Sequence, residues 1–116
     1  MHLGMIMLLA LLSLAFTGDT RQRSVQVTMT AYTRTGHLTA SGKAPQVGML
    51  AISRDLERNL HLKFGDRLTL VRYGTFRFED RMARRWRKRV DVFSPSHHGA
   101  LQFGKRQAFL LTQAVS

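Results

Sequence analysis

A rhythm of short, strand-length runs separated by turn residues constrains the fold most. Ser24 to Thr33, SVQVTMTAYT, sets Val25, Val27, Met29 and Ala31 against Gln26, Thr28, Thr30 and Tyr32. That is the two-residue period of a half-buried strand. Gly48 to Ile52 is a short apolar run, Arg67 to Tyr73 alternates, and Thr75 to Glu79 resumes after Gly74. Lys88 to Phe93 and Gln107 to Thr112 complete the set. Arg54 to His61 reads as a helical turn. A helix is expected to start at Ser94-Pro95-Ser96, run through Ala100, Leu101 and Phe103, and stop at Gly104, with a hydroxyl cap, a proline in the first turn and a glycine stop. Closely spaced strands with one or two short helices predict a mainly β chain closed into a small six-stranded barrel, not a βαβ sheet.

A chain of 116 residues makes one domain, and the barrel is placed over residues 24–113. Residues 3–16 carry no charge and are followed at once by polar residues, a run of roughly 14 where a bilayer span takes about 20. Residues 1–18 therefore read as a signal peptide, with Ser13 and Ala15 near the cleavage site and no Lys or Arg ahead of the apolar run. Export to the periplasm, the outer-membrane face or the cell wall is the expected localisation. The formal charge is +11, and all 18 Lys and Arg lie between Arg21 and Arg106. That balance asks for a polyanionic partner: nucleic acid, acidic lipid or a carboxylate- and phosphate-rich wall. The absence of cysteine removes thiolate metal sites and cysteine nucleophiles. His97 and His98 are adjacent, not at metal-ligand spacing, so neither metal nor cofactor is expected.

Chemistry concentrates in Glu79 to Phe93, EDRMARRWRKRVDVF. An acid pair, Glu79 and Asp80, precedes nine residues of which six are basic, and Asp91 stands alone among Val90, Val92 and Phe93. In a strand with Val90 and Val92 inward, Asp91 faces the other way, beside Arg89 and Phe93. If the basic segment is a hairpin loop, Asp80 and Asp91 meet on neighbouring strands as a candidate acid/base pair. The alternative is that Asp91 merely pairs with an arginine. Residues 34–47 form a loop whose hydroxyls, Thr39 and Ser41, either shape turns or contact a sugar.

The order of these pieces resembles the 3D-domain family of cell-wall proteins, similar to the catalytic domain of membrane-bound lytic murein transglycosylase A and to stationary-phase survival proteins. The matching pieces are Thr30-Ala31-Tyr32-Thr33, Thr39-Ala40-Ser41-Gly42, Gly48 to Ile52, Phe64-Gly65-Asp66-Arg67-Leu68, Tyr73-Gly74, Glu79-Asp80, Arg89-Val90-Asp91-Val92-Phe93, Ser96-His97 and Phe103-Gly104. The resemblance implies a double-psi β-barrel that cleaves the β-1,4 bond between N-acetylmuramic acid and N-acetylglucosamine, leaving a 1,6-anhydro sugar. It maps the second and third family aspartates onto Asp80 and Asp91, the latter as general acid. Ser53 stands where the first aspartate is usual, and Asp55 lies two residues on as a substitute, on the same face if the strand continues. Tyr32, Thr39, Ser41, Ser53, Asp55, Trp86 and Arg89 become the candidate substrate-binding residues, with peptidoglycan glycan strands as partner. A wall-binding barrel without catalysis is the first rival, and a nucleic-acid binder using the +11 charge the second. Export speaks against nucleic acid, so none is expected as a partner, whereas association with an anionic outer-membrane or wall surface is.

Overall fold

The computed structural model describes residues 20–115. The signal-peptide reading of residues 1–18 lies outside them. Among the described residues the order is β1 (Thr20–Tyr32), β2 (Met49–Ile52), α1 (Arg54–Asn59), β3 (Arg67–Leu70), β4 (Gly74–Arg81), β5 (Arg89–Phe93), α2 (His97–Phe103) and β6 (Arg106–Val115). The strands close into a mixed barrel in the order β1-β5-β2-β4-β3-β6. The expected six-stranded barrel with short helices is the fold observed.

Alternation explains which side chains enter the barrel. Val27, Met29, Leu50, Ile52, Leu68, Leu70, Phe78, Val90, Val92 and Leu110 form its core, and between them lie the outward residues of each strand. Two strand pairs are parallel, β1 with β5 and β2 with β4. The remaining pairs are antiparallel.

That pairing corrects the hairpin expectation. β4 and β5 are not neighbours: β2 lies between them, parallel to β4 and antiparallel to β5. A local run of sequence shows a strand's period but not which distant strand it will adopt. The basic segment is thus a crossover past the end of β2, and backbone bonds pin it there. Met82 N–H donates to Ile52 O at 3.0 Å, Ser53 N–H to Arg89 O at 2.9 Å, and Thr28 N–H to Lys88 O at 2.9 Å.

Smaller differences have local causes. β3 stops at Leu70, because Arg72 turns the chain at φ 76°. α2 starts at His97: the capping hydroxyl is that of Ser96, which accepts from Gly99 N–H at 3.0 Å, so Pro95 precedes the helix. Gly104, at φ 66°, ends it as expected.

Candidate functional site

Ala51 on β2 is the register point of the site, facing Asp80 of β4 on one side and Asp91 of β5 on the other. The two Cα atoms are therefore two strand spacings apart, about 9.5 Å, not side by side. A β-bulge between Leu50 and Ala51 sets this alignment: Leu50 faces Phe78, the next residue faces Asp80, and Glu79 is the extra residue. The adjacent acids consequently take different roles. Glu79 is 1% exposed, and its Oε2 lies 2.7 Å from Lys43 Nζ. That contact is ionic, without the alignment of a hydrogen bond. Asp80 stays half-buried on the outer face.

A cleft of about 220 Å³ opens over Ala51, walled by Asp80, Asp91, Tyr32, Met82, Trp86 and the 34–47 loop. Asp91 is half-buried and accepts a hydrogen bond from Thr30 Oγ1 at 2.9 Å, its register partner across the parallel β1/β5 pair. Burial pushes its carboxyl above the usual carboxylate range. The Thr30 hydroxyl and the Arg89 guanidinium pull it down, the Asp80 charge adds to the rise, and the net direction is up. Among the described residues no cation forms an ion pair with Asp91. Arg89 instead stacks on Trp86, 4.1 Å from the ring centre, with Arg85 at 4.8 Å on the same indole.

Asp80 is oriented by its surroundings: Oδ1 accepts from Ala40 N–H at 2.9 Å and from Arg81 N–H at 2.8 Å. Tyr32 packs edge-on against Phe93, with ring centroids 5.6 Å apart. Its hydroxyl is buried without a partner among the described residues and raised to about 12, first by burial and then by the charges of Asp80 and Asp91.

The remaining sequence candidates stand behind the cleft. Thr39 is 4% exposed; its Oγ1 meets Ser41 Oγ at 3.0 Å and accepts from Lys43 N–H at 3.2 Å. Ser41 N–H donates to Glu79 O at 3.1 Å. These hydroxyls shape the loop that delivers Ala40 N–H to Asp80. Ser53 is fully buried, and its Oγ accepts from Arg89 N–H at 3.0 Å. Asp55 does not share a face with it, because β2 ends at Ile52 and Asp55 belongs to α1. Its Oδ2 accepts from Lys88 N–H at 2.9 Å. Burial raises the Asp55 carboxyl, but bonds from Ser53 and from backbone N–H groups outweigh it and hold the group low. Asp55 and Ser53 thus anchor the crossover and do not line the cleft. Residue-by-residue reading missed Thr30 and Ala51, whose roles exist only through the β1/β5/β2 pairing; the polar face of β1 was the one available hint.

The scan against protein-family models finds no match to this chain, and the search among curated proteins finds none either.

The raised Asp91 carboxyl carries a stability consequence. The folded state holds this proton more tightly than the unfolded chain, so Asp91 destabilises the barrel as pH rises from the ordinary carboxyl range through its folded value. Asp91→Asn is expected to raise the thermal midpoint at pH 7, and the gain should vanish below pH of about 4. Calorimetry of both proteins across that range checks it.

Proposed function

We propose that this barrel cleaves peptidoglycan glycan strands by lytic transglycosylation, with Asp91 as acid and base. The observation that carries the reading is the half-buried Asp91 carboxyl with a raised proton affinity, facing an open cleft that an aromatic ring borders. The order of the 3D-domain motifs and the two parallel pairs of a closed six-stranded barrel support it.

In this mechanism protonated Asp91 gives its proton to the glycosidic oxygen as the bond to the muramic acid C1 breaks. The leaving N-acetylglucosamine departs as an alcohol. The Asp91 carboxylate then takes the proton of the muramic acid's 6-hydroxyl, whose oxygen closes on C1 to form the 1,6-anhydro ring. Asp91 ends protonated, ready for another cycle. One carboxyl serves both steps, unlike the carboxyl pair of most glycoside hydrolases. Asp80 favours the protonated start through its charge, and the Tyr32 hydroxyl offers a polar contact for a sugar hydroxyl. Trp86 borders the cleft with an aromatic ring. Incubating the protein with purified sacculi and analysing the soluble products by mass spectrometry tests the proposal: 1,6-anhydro muropeptides are expected, and their absence would refute catalysis.

The wall-binding alternative draws on one observation. Neither Ser53 nor Asp55 brings a third carboxyl to the cleft. Under both readings the exposed arginines flanking Trp86 meet the acidic wall. Arg85→Ser/Arg87→Ser should weaken co-sedimentation with insoluble peptidoglycan several-fold at low salt, and unchanged binding would remove that role.

A further inference from the structure

A second and larger depression, about 400 Å³, lies between α1 and the chain leaving β4. Arg54, Arg58 and His61 line it from α1 and the turn after it, Arg81 and Arg84 from the other side, and Glu57 is its one acid among the described residues. Glu57 is already neutralised. Its Oε1 accepts from Arg81 Nε at 2.7 Å and its Oε2 from Arg81 Nη2 at 2.8 Å. That fork, above all other influences, holds the Glu57 carboxyl below the usual range. The groove is left strongly cationic.

The other arginines are placed but not consumed. Arg54 Nε donates to Met82 O at 3.3 Å, which fixes its stem and leaves its terminal nitrogens without a protein partner among the described residues. Arg58 and Arg84 are exposed and likewise unpaired among the described residues. After α1 the backbone turns through His61 at φ 53°, with His61 N–H donating to Arg58 O at 3.3 Å. That left-handed residue brings the imidazole to the rim of the groove instead of continuing the helix.

We propose that this groove binds a phosphoryl group. A carboxylate is planar, and one arginine fork satisfies it, as Arg81 satisfies Glu57. The uncommitted guanidinium groups approach from two elements on opposite sides, which suits a tetrahedral anion with oxygens pointing in several directions. Arg81 borders both the groove and the cleft, but the groove's uncommitted cations, Arg54, Arg58 and Arg84, do not line the cleft, so phosphoryl binding stands apart from the peptidoglycan reading.

The test titrates the full-length, nitrogen-15-labelled protein with inorganic phosphate, with poly(glycerol phosphate) and with acetate, at matched ionic strength. Saturable shifts are expected at residues 54–61 and 81–84 with both phosphoryl probes and not with acetate. Arg58→Gln/Arg84→Gln should weaken phosphoryl binding about tenfold, whereas Arg72→Gln/Lys105→Gln, removing equal charge elsewhere, should change it less than about twofold. Tighter binding of the polymer than of inorganic phosphate, per phosphate, assigns the site to a phosphodiester chain; equal affinity assigns it to free phosphate. Equal weakening by both variants, equal binding of acetate, or shifts mapping to other residues would overturn the proposal. Asp91→Asn should leave phosphoryl binding intact whether or not the barrel cuts glycan.

Discussion

Asp91→Asn is expected to abolish the release of 1,6-anhydro muropeptides while leaving a folded barrel. General acid/base catalysis by a positioned side chain contributes about 10²–10⁴-fold, and in the proposed mechanism one group serves both proton transfers. Asn retains the oxygen that accepts from Thr30 Oγ1, so the β1/β5 register has no reason to move. The product assay and the melting curve together are diagnostic. A loss of product with an unchanged or raised melting temperature fits an acid held against its own preference by burial and by Asp80. A structural Asp91 would show the opposite pattern, with stability lost and turnover lowered only in proportion. Product formed by the Asn variant at the wild-type rate would end the acid/base assignment.

Phe78→Ala should have the largest effect on stability. The ring is fully buried in the barrel and packs on Phe64 with centroids 4.9 Å apart. The same residue's backbone closes a turn: its N–H donates to Asp66 O at 2.9 Å and its O accepts from Gly65 N–H at 2.8 Å. Replacing a buried Phe by Ala costs about 3–5 kcal/mol, a large share of the roughly 5–15 kcal/mol that holds a domain folded. The melting temperature should fall by about 15–30 °C. Phe109→Ser is the contrast, because Phe109 is 50% exposed and its loss should cost under about 1 kcal/mol. Urea titration of both variants checks the difference, and similar losses would mean that the core is not where the alternation puts it.

The barrel was legible in the sequence because inward residues recur at period two in nearly every strand. Val25, Val27 and Met29 mark one wall, and Val90 and Val92 another. Asp91 was legible for the same reason, as the one carboxyl in an otherwise apolar run. Its partner Thr30 was not: parallel pairing joins residues sixty-one positions apart, and nothing local to either strand encodes that. Glu79 and Asp80 look equivalent as neighbours in sequence, but the bulge buries one with Lys43 and leaves the other in the cleft. Ser53 and Asp55 share a face only if the strand continues, and it ends at Ile52, where the chain turns into α1. The basic segment was conspicuous from the start, yet its path across the end of β2 depends on bonds from Ile52, Ser53 and Asp55 that only the folded chain supplies.

The strand order has a consequence for how the molecule is made. β1 is bordered by β5 and β6, so the first strand waits, both edges open, for the last two. Such distant pairings are slow to form, on the order of milliseconds to seconds, and an unpaired edge invites pairing with other chains meanwhile. The carboxyl of Asp91 meets Thr30 only when β5 docks against β1. The Thr30–Asp91 contact in the cleft therefore forms only at barrel closure, and no fragment lacking either end of the fold would carry it.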